Sequence, residues 1–292
     1  MVTGWNWVLL TDFASFKPTY LPEDNPADFS YFFDTSRRRT CYIAPERFVK
    51  TLNSDVVQSN TVSNLVLPEE EIKKGDLNAA MDIFSLGCAL TELFTEGHVP
   101  FDFSQLLTYR SGEYSPWKVI EKIEDPCIRD LVRHMMQKDP NKRSTAEEYL
   151  EQQRGKAFPE YFYSFLREYV QGFASVPILT PDERIARLKP DIKKILEALT
   201  DSAKDKNDRV NDGLVIIVSL VTSCLRALKH CTAKLHALEV LRQMAELLSS
   251  EVILDRLLPY MLFLVNDRYP QVRVAAIKTM TYCLTLVKTV PR

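Results

Sequence analysis

Glycine is scarce in this chain, with 8 in 292 residues, and no G-x-G-x-x-G run occurs. The sequence therefore offers no glycine cradle for a mononucleotide or a dinucleotide. Neither sign of charge is in excess: the formal net charge of -2 gives no reason to expect nucleic acid or a polybasic membrane anchor. Long hydrophobic runs are missing as well. The most apolar stretch, Leu214 to Leu225, is too short to cross a bilayer and contains Ser219, Thr222 and Ser223. No signal peptide is visible, because the run Val8-Leu9-Leu10 ends at Asp12. No C-x-x-C pair exists, and the apolar neighbours of Cys88, Cys224 and Cys283 favour reduced, buried thiols. Cys224, His230, Cys231 and His236 lie close together, but their spacing fits no common zinc module. The chain reads as soluble and intracellular.

What is present is ordinary in bulk: 46% hydrophobic and 26% charged residues, enough for one large or two medium domains. The information lies in local stretches. Thr40-Cys41-Tyr42-Ile43-Ala44-Pro45-Glu46-Arg47 reads as an extended approach and a bend at Pro45. Glu46 follows among apolar neighbours, where a carboxylate needs a cationic partner. This stretch resembles the T-x-x-Y-x-A-P-E end of a protein-kinase activation segment. Trp5 to Thr11 reads as a strand, with Asp12-Phe13-Ala14 directly after it. Asp12 opens a turn or, at the end of a buried strand, holds a metal ion or a phosphate-bound magnesium. Ala44 comes 32 residues after Asp12, a separation similar to that of D-F-G and A-P-E in kinases. The third letter is Ala14, whose methyl group restricts the backbone freedom glycine would give.

Lys17 to Arg39 is then the activation segment. Its aromatics Phe29, Tyr31, Phe32 and Phe33 must pack on their own lobe or on a partner. Arg37-Arg38-Arg39 is either a solvated turn or a surface for a phosphate or an acidic partner. Thr35, Ser36 and Thr40 are candidate phosphorylation sites. Residues of about 50 to 79 read as a poorly ordered insertion. Asp82 to about Thr95 reads as a core helix, apolar nearly all round. It resembles the D-[IVM]-[WF]-S-x-G helix of the kinase C-lobe, in which Asp82 would accept backbone N–H groups of the catalytic loop. A plain N-cap is the other reading of Asp82. His98-Val99-Pro100-Phe101 resembles the G-x-x-P-F turn. Short helices follow over Phe103–Tyr109, Trp117–Ile123 and Pro126–Gln137. Asp139-Pro140-Asn141-Lys142-Arg143-Ser144-Thr145-Ala146 resembles D-P-x-x-R-x-[ST]-A, with Ser144 or Thr145 capping the next helix. Arg143 offers a planar fork suited to the Glu46 carboxylate. No strand lysine, paired helix glutamate or H-R-D loop is found. The expectation is thus the carboxyl part of a kinase-like domain, 1–170, catalytically incompetent alone and with no cofactor of its own. In a longer parent protein, ATP or another nucleotide with magnesium would meet Asp12.

After an aromatic-rich helix at Phe158–Tyr169, Thr180-Pro181-Asp182-Glu183 is a strong helix start. Further helices are expected over Gly213–His230, Thr232–Leu248, Glu251–Val265 and Pro270–Val290, with Ser202 to Asp212 a charged loop. Paired helices at a spacing near ~40 residues indicate a HEAT-type α-solenoid over 180–292. Asp267 to Ala276 resembles its D-x-x-x-x-V-R-x-x-A turn, where Arg273 would bond groups around Asp267. The fold class expected is mainly α, a kinase-like C-lobe followed by a solenoid.

The local text is more specific. Trp5-Asn6-Trp7-Val8-Leu9-Leu10-Thr11-Asp12-Phe13-Ala14 and Phe32 to Phe48 resemble the vacuolar protein sorting 15 family. That resemblance implies a regulatory subunit of class III phosphatidylinositol 3-kinase, scaffolding the lipid-kinase catalytic subunit and a Beclin-type subunit. It implies a cytoplasmic protein, peripheral on endosomal and autophagic membranes, acting in autophagy and endosomal or vacuolar sorting. Membrane association of this stretch would be indirect, and no nucleic acid is implied. Family members are commonly classed as serine/threonine kinases, so phosphotransfer by the parent protein is the alternative. Phe29, Phe32, Phe33, Arg37, Arg38 and Arg39 are the candidate interface, facing the lipid-kinase subunit.

Overall fold

The computed structural model describes residues 17–19, 21–34, 37–49, 77–201 and 212–289. The expected strand at 5–11, Asp12, Ala14, Thr35, Ser36, most of the insertion and nearly all of the charged loop after 201 lie outside the described residues. The chain divides into two compact units that meet in sequence between Phe158 and Pro159.

The first unit opens with β1 (Leu21–Pro22), paired in parallel with β2 (Phe48–Val49), Leu21 opposite Phe48. Between them lies α1 (Pro26–Phe32), started by Pro26 in its first turn and by the Asn25 side chain accepting from the Ala27 N–H. A 3-10 turn at Pro45–Arg47 leads into β2. The long helix α2 (Ala79–Phe94) is capped by Asn78, which accepts from the Met81 N–H. The plain-cap reading of Asp82 is therefore corrected: the cap stands four residues earlier. The helices α3 (Phe103–Ser111), α4 (Trp117–Ile120), α5 (Pro126–Met135) and α6 (Ala146–Gln152) follow, with a 3-10 turn at Pro140–Lys142. Thr145 caps α6 in a reciprocal box with Glu148.

Helix α2 organises this unit. It buries Met81, Ile83, Phe84, Gly87 and Cys88, and Phe101 stacks on Phe84 at 5.8 Å. Thr91 and Thr95 are buried because each hydroxyl donates to the carbonyl four residues back, Gly87 and Thr91. The expectation of a core helix, apolar nearly all round, is corrected in part: Leu86, Leu93 and Phe94 are exposed. Apolar letters alone do not show which face a neighbour covers. Gly87 marks the crossing with the end of α5. A Cβ there would lie 2.8 Å from Met136 Cγ and 2.9 Å from Met135 Cβ. Gly87→Ala is expected to lower stability by about 1–3 kcal/mol, read as an earlier urea midpoint. A midpoint equal to wild type would contradict the close crossing.

The second unit begins with a π-turn at Phe162–Leu166 running into α7 (Arg167–Ala174). Leu166 and Phe173 pack into the same core as Ile185 and Leu188, so the aromatic segment placed before the boundary at 170 contributes to this core. Helix α8 (Pro181–Asp201) starts at Thr180, whose side chain and N–H exchange bonds with Glu183. It carries Pro190 inside; Pro190 and Ala186 are both exposed, so the carbonyl freed by the missing N–H faces water. Then come α9 (Asp212–Leu225), α10 (Cys231–Ala245), α11 (Ser250–Val252) with a π-turn at Ile253–Leu257, α12 (Leu258–Val265) and α13 (Pro270–Thr285). Helices α8, α10 and α13 pack side by side, with α9 against α8 and α10, and α12 against α13. This is a two-layer array of helical repeats.

The turns of the array are bonded to one another. Asp182, at the start of α8, accepts from the backbone N–H groups of Lys229 and His230 and from the His230 ring. Lys234 on α10 pairs with Asp267, Arg268 donates to the Lys229 carbonyl, and Arg273 donates to the Asp267 carbonyl. Burial opposes ionisation of both aspartates. The His230 and Lys229 N–H groups nevertheless hold Asp182 below its ordinary value of 3.8, and Lys234 with the Tyr269 N–H does the same for Asp267. A carboxyl depressed on folding contributes stability that is complete above its unfolded value and is lost as pH falls through the folded one. The thermal midpoint is therefore expected to be flat from about pH 7 to 5 and to fall below about pH 4, with Asp267→Asn removing part of that fall. Melting curves followed by circular dichroism across this range check it.

Candidate functional site

The centre of the first unit is the Arg143 side chain, which is 0% exposed, against a Glu46 side chain at 16%. Glu46 is placed by the 3-10 turn that Pro45 begins, and Arg143 by the turn that Pro140 begins. Arg143 Nη1 and Nη2 donate to Glu46 Oε1 and Oε2 at 2.7 and 3.0 Å, a two-pronged pair. Its other donors reach backbone carbonyls: Nη1 to Ala80, Nε to Gln137 and Nη2 to Lys138. The guanidinium also lies over the Phe84 ring at 4.9 Å. All five N–H groups of the fork are thus used, which a buried guanidinium requires.

Arg47, next to Glu46, points the other way. It donates to the carbonyls of Pro18 and Thr19 and stands over the Phe33 ring at 5.2 Å. Burial lowers its pKa from the ordinary value, and Asp82 and Glu46 act against that fall. Asp82 is exposed on the first turn of α2. The start of the segment is held a second time, by an ion pair of Glu23 with Arg110 on α3.

The candidate interface residues separate. Phe29 is 4% exposed, 4.9 Å from Phe103 and 6.5 Å from Phe33. Its placement on a partner-facing surface is corrected: α1 turns it into the lobe core, beside Phe48 and Leu21. Phe33 is half-buried between Arg47 and Lys17. Phe32 is half-buried, edge-on to Tyr31, which is 75% exposed. Arg37, Arg38 and Arg39 are exposed and Thr40 is half-buried. Arg38 pairs with Glu92 on α2 at 2.6 Å. Arg37 and Arg39 adopt left-handed backbone, with φ of 54° and 59°. The Arg39 N–H bonds both oxygens of Asp34. The partners Asp34, Glu92 and Arg110 escape sequence reasoning, because nothing local marks an acid or a base as the far end of such a contact. Among the described residues, no group of three or more His, Cys, Asp or Glu is arranged to hold a metal ion.

A buried glutamate–arginine pair joining an A-P-E turn to a central helix defines the C-terminal lobe of a protein-kinase fold. The protein kinase domain family matches residues 47–153, and the family described as PIK3R4-like, middle domain, matches residues 217–292. The chain is 36% identical, over 98% of its length, to the putative serine/threonine-protein kinase VPS15 of Komagataella pastoris, of which it covers 23%. It is 45% identical, over 70% of its length, to the probable serine/threonine-protein kinase vps15 of Dictyostelium discoideum, covering 9% of that protein. Against the serine/threonine-protein kinase VPS15 of Arabidopsis thaliana it is 32% identical over 100% of its length, covering 24%. Along nearly its whole length the chain is similar to members of the vacuolar protein sorting 15 family. It spans about a quarter or less of the length of these curated relatives.

Removing one side of the buried pair leaves the other charge without a partner. Arg143→Ala is expected to cost about 3–5 kcal/mol in urea unfolding. Arg143→Lys should recover little of it, since one ammonium cannot serve both oxygens of Glu46 and three carbonyls. Wild-type stability of either variant would remove the pair from its central role.

Proposed function

We propose that this chain is part of a regulatory scaffold subunit of a class III phosphatidylinositol 3-kinase complex. The observation that carries the reading is the union, in one chain, of a kinase-type C-lobe with helical repeats of the PIK3R4-like middle-domain family. The partners on this reading are the lipid-kinase catalytic subunit and a Beclin-type subunit. The complex works in autophagy and endosomal or vacuolar sorting, on endosomal and autophagic membranes, which this stretch reaches through its partners. The repeats, read as HEAT-type, supply an extended surface. The exposed part of the segment, Tyr31 with Arg37 and Arg39, faces the lipid-kinase subunit, its cations adding steering and orientation.

A second reading is phosphotransfer to serine or threonine by the longer protein. It is favoured by the complete Glu46–Arg143 pair and by the kinase names of the relatives. Asp12 is the residue proposed to meet a magnesium-bound nucleotide there. The chain alone is proposed to be inactive.

Co-purification of the tagged chain with the lipid-kinase catalytic subunit and the Beclin-type subunit tests the scaffold. Capture is expected, and Tyr31→Ala/Arg39→Glu should weaken capture of the catalytic subunit about tenfold while thermal stability stays close to wild type. No capture of either subunit would end the scaffold reading for this stretch. ATP-dependent labelling that disappears in Asp12→Ala would overturn the proposed inactivity.

A further inference from the structure

An open groove of about 450 Å3 lies on the first unit, beside α3, α4 and α5. The backbone carbonyls of Gln137 and Lys138 hold Arg143, while both residues also line the groove. One wall is aromatic. Trp117 stands there under the Arg133 guanidinium, 6.0 Å from the ring, and Tyr109 commits its hydroxyl to the Met136 carbonyl. A groove with an apolar wall and a few polar groups at its rim is built to take a ligand side chain.

The rim charges are unequal in what they have left to offer. Asp139 accepts from Asn141 through both its backbone N–H and its side-chain amide. Asp130 sits 3.5 Å from Arg133 on the same helix, an exposed pair of little strength. Among the described residues Lys142 makes no ion pair, and Lys138 gives one bond to the Arg110 carbonyl. Two exposed ammonium groups, neither paired with a carboxylate among the described residues, therefore line the groove beside the aromatic wall. Such an arrangement favours anionic groups by charge complementarity.

The arrangement does not suit a compact polyphosphate. Asp130 and Asp139 share the rim with the lysines. The turn that could supply a nest of N–H groups is closed: Asn141 N–H bonds Asp139 Oδ1, Lys142 N–H bonds the Asp139 carbonyl, and Arg143 N–H bonds the Pro140 carbonyl. An extended ligand can space its anions apart, present carbonyls and N–H groups of its own, and lay an apolar side chain on Trp117. We propose that this groove docks a short acidic peptide segment of a partner protein, its carboxylates on Lys138, Lys142 and Arg133. The site is distinct from the segment around Tyr31 and does not depend on the scaffold reading.

A phage-displayed library of random dodecapeptides, selected on the purified chain, tests this. The counter-target is the Lys138→Glu/Lys142→Glu chain; both lysines are exposed, so its melting temperature should match wild type. Wild type is expected to enrich peptides rich in Asp and Glu around one apolar residue. The double variant should hold them about tenfold more weakly, and about 0.5 M salt should release them. A Lys193→Glu/Lys194→Glu chain, altered at exposed cations of the second unit, should keep wild-type binding. The proposal falls if no acidic peptide is enriched, or if the Lys138→Glu/Lys142→Glu chain binds them equally. It also falls if magnesium ATP displaces them, which would assign the groove to a nucleotide.

Discussion

The first unit depends on one buried cation. A guanidinium with no access to water must find a partner for each of its five N–H groups and for its charge. Arg143 meets both needs with three separate stretches of chain: the Glu46 turn, the Ala80 carbonyl at the start of α2, and the Gln137 and Lys138 carbonyls after α5. Among the described residues none of these stretches is held to the others by a strand ladder; β1 pairs with β2 in a two-stranded sheet. The guanidinium therefore supplies the directional bonds at a place where the apolar core supplies none. Phe84, itself fully buried, lies beneath the guanidinium, and a low-dielectric setting of this kind strengthens the pair and makes it intolerant of a missing member.

Glu46 and Arg47 act as neighbours pointing opposite ways. The first fixes the end of the segment to the lobe, and the second draws the beginning of the segment, at Pro18 and Thr19, to the same place. Closing a loop of this length costs only a modest amount of entropy, because the cost grows slowly with loop length. Between the two ends, Phe29 enters the core and Arg38 reaches Glu92. Left-handed backbone at Arg37 and Arg39 costs roughly 1–3 kcal/mol for each such residue. Bonds to Asp34, from the Arg37 N–H to its carbonyl and from the Arg39 N–H to its carboxylate, offset part of that cost. The segment is held to its lobe at several points that involve no added phosphate.

Much of this was legible in the sequence where the signal is local. Pro45, Pro126, Pro140, Pro181 and Pro270 all stand in first turns, and Thr145 and Thr180 cap as their side chains allow. The pairing of Glu46 with Arg143 was legible through a resemblance, since 97 residues separate them and no periodicity links them. What stayed hidden depends on neighbours. Asn78 and Asp82 are both good caps, and it is the Asn78 side chain that accepts from the first turn of α2, at the Met81 N–H. Phe29, Tyr31 and Phe32 are similar letters, and only the rotation of α1 over Phe103 sends the first inward and the second to water. Pro190 would end most helices, but its place on the exposed side of α8 lets water take the freed carbonyl.

The second unit solves the same problem of joining distant stretches by other means. Its ties are repeated: Asp182 to the Lys229–His230 turn, Arg268 back to that turn, Lys234 to Asp267, Arg273 to the Asp267 carbonyl. The first three each link one turn to a neighbouring one, and the last ties a turn to the helix it begins. In an array whose stability is close to a sum over adjacent repeats, losing one such tie weakens one interface. In the lobe, losing Arg143 frees three stretches together. The two units therefore differ in how damage spreads, with the lobe failing as a whole and the repeats failing locally.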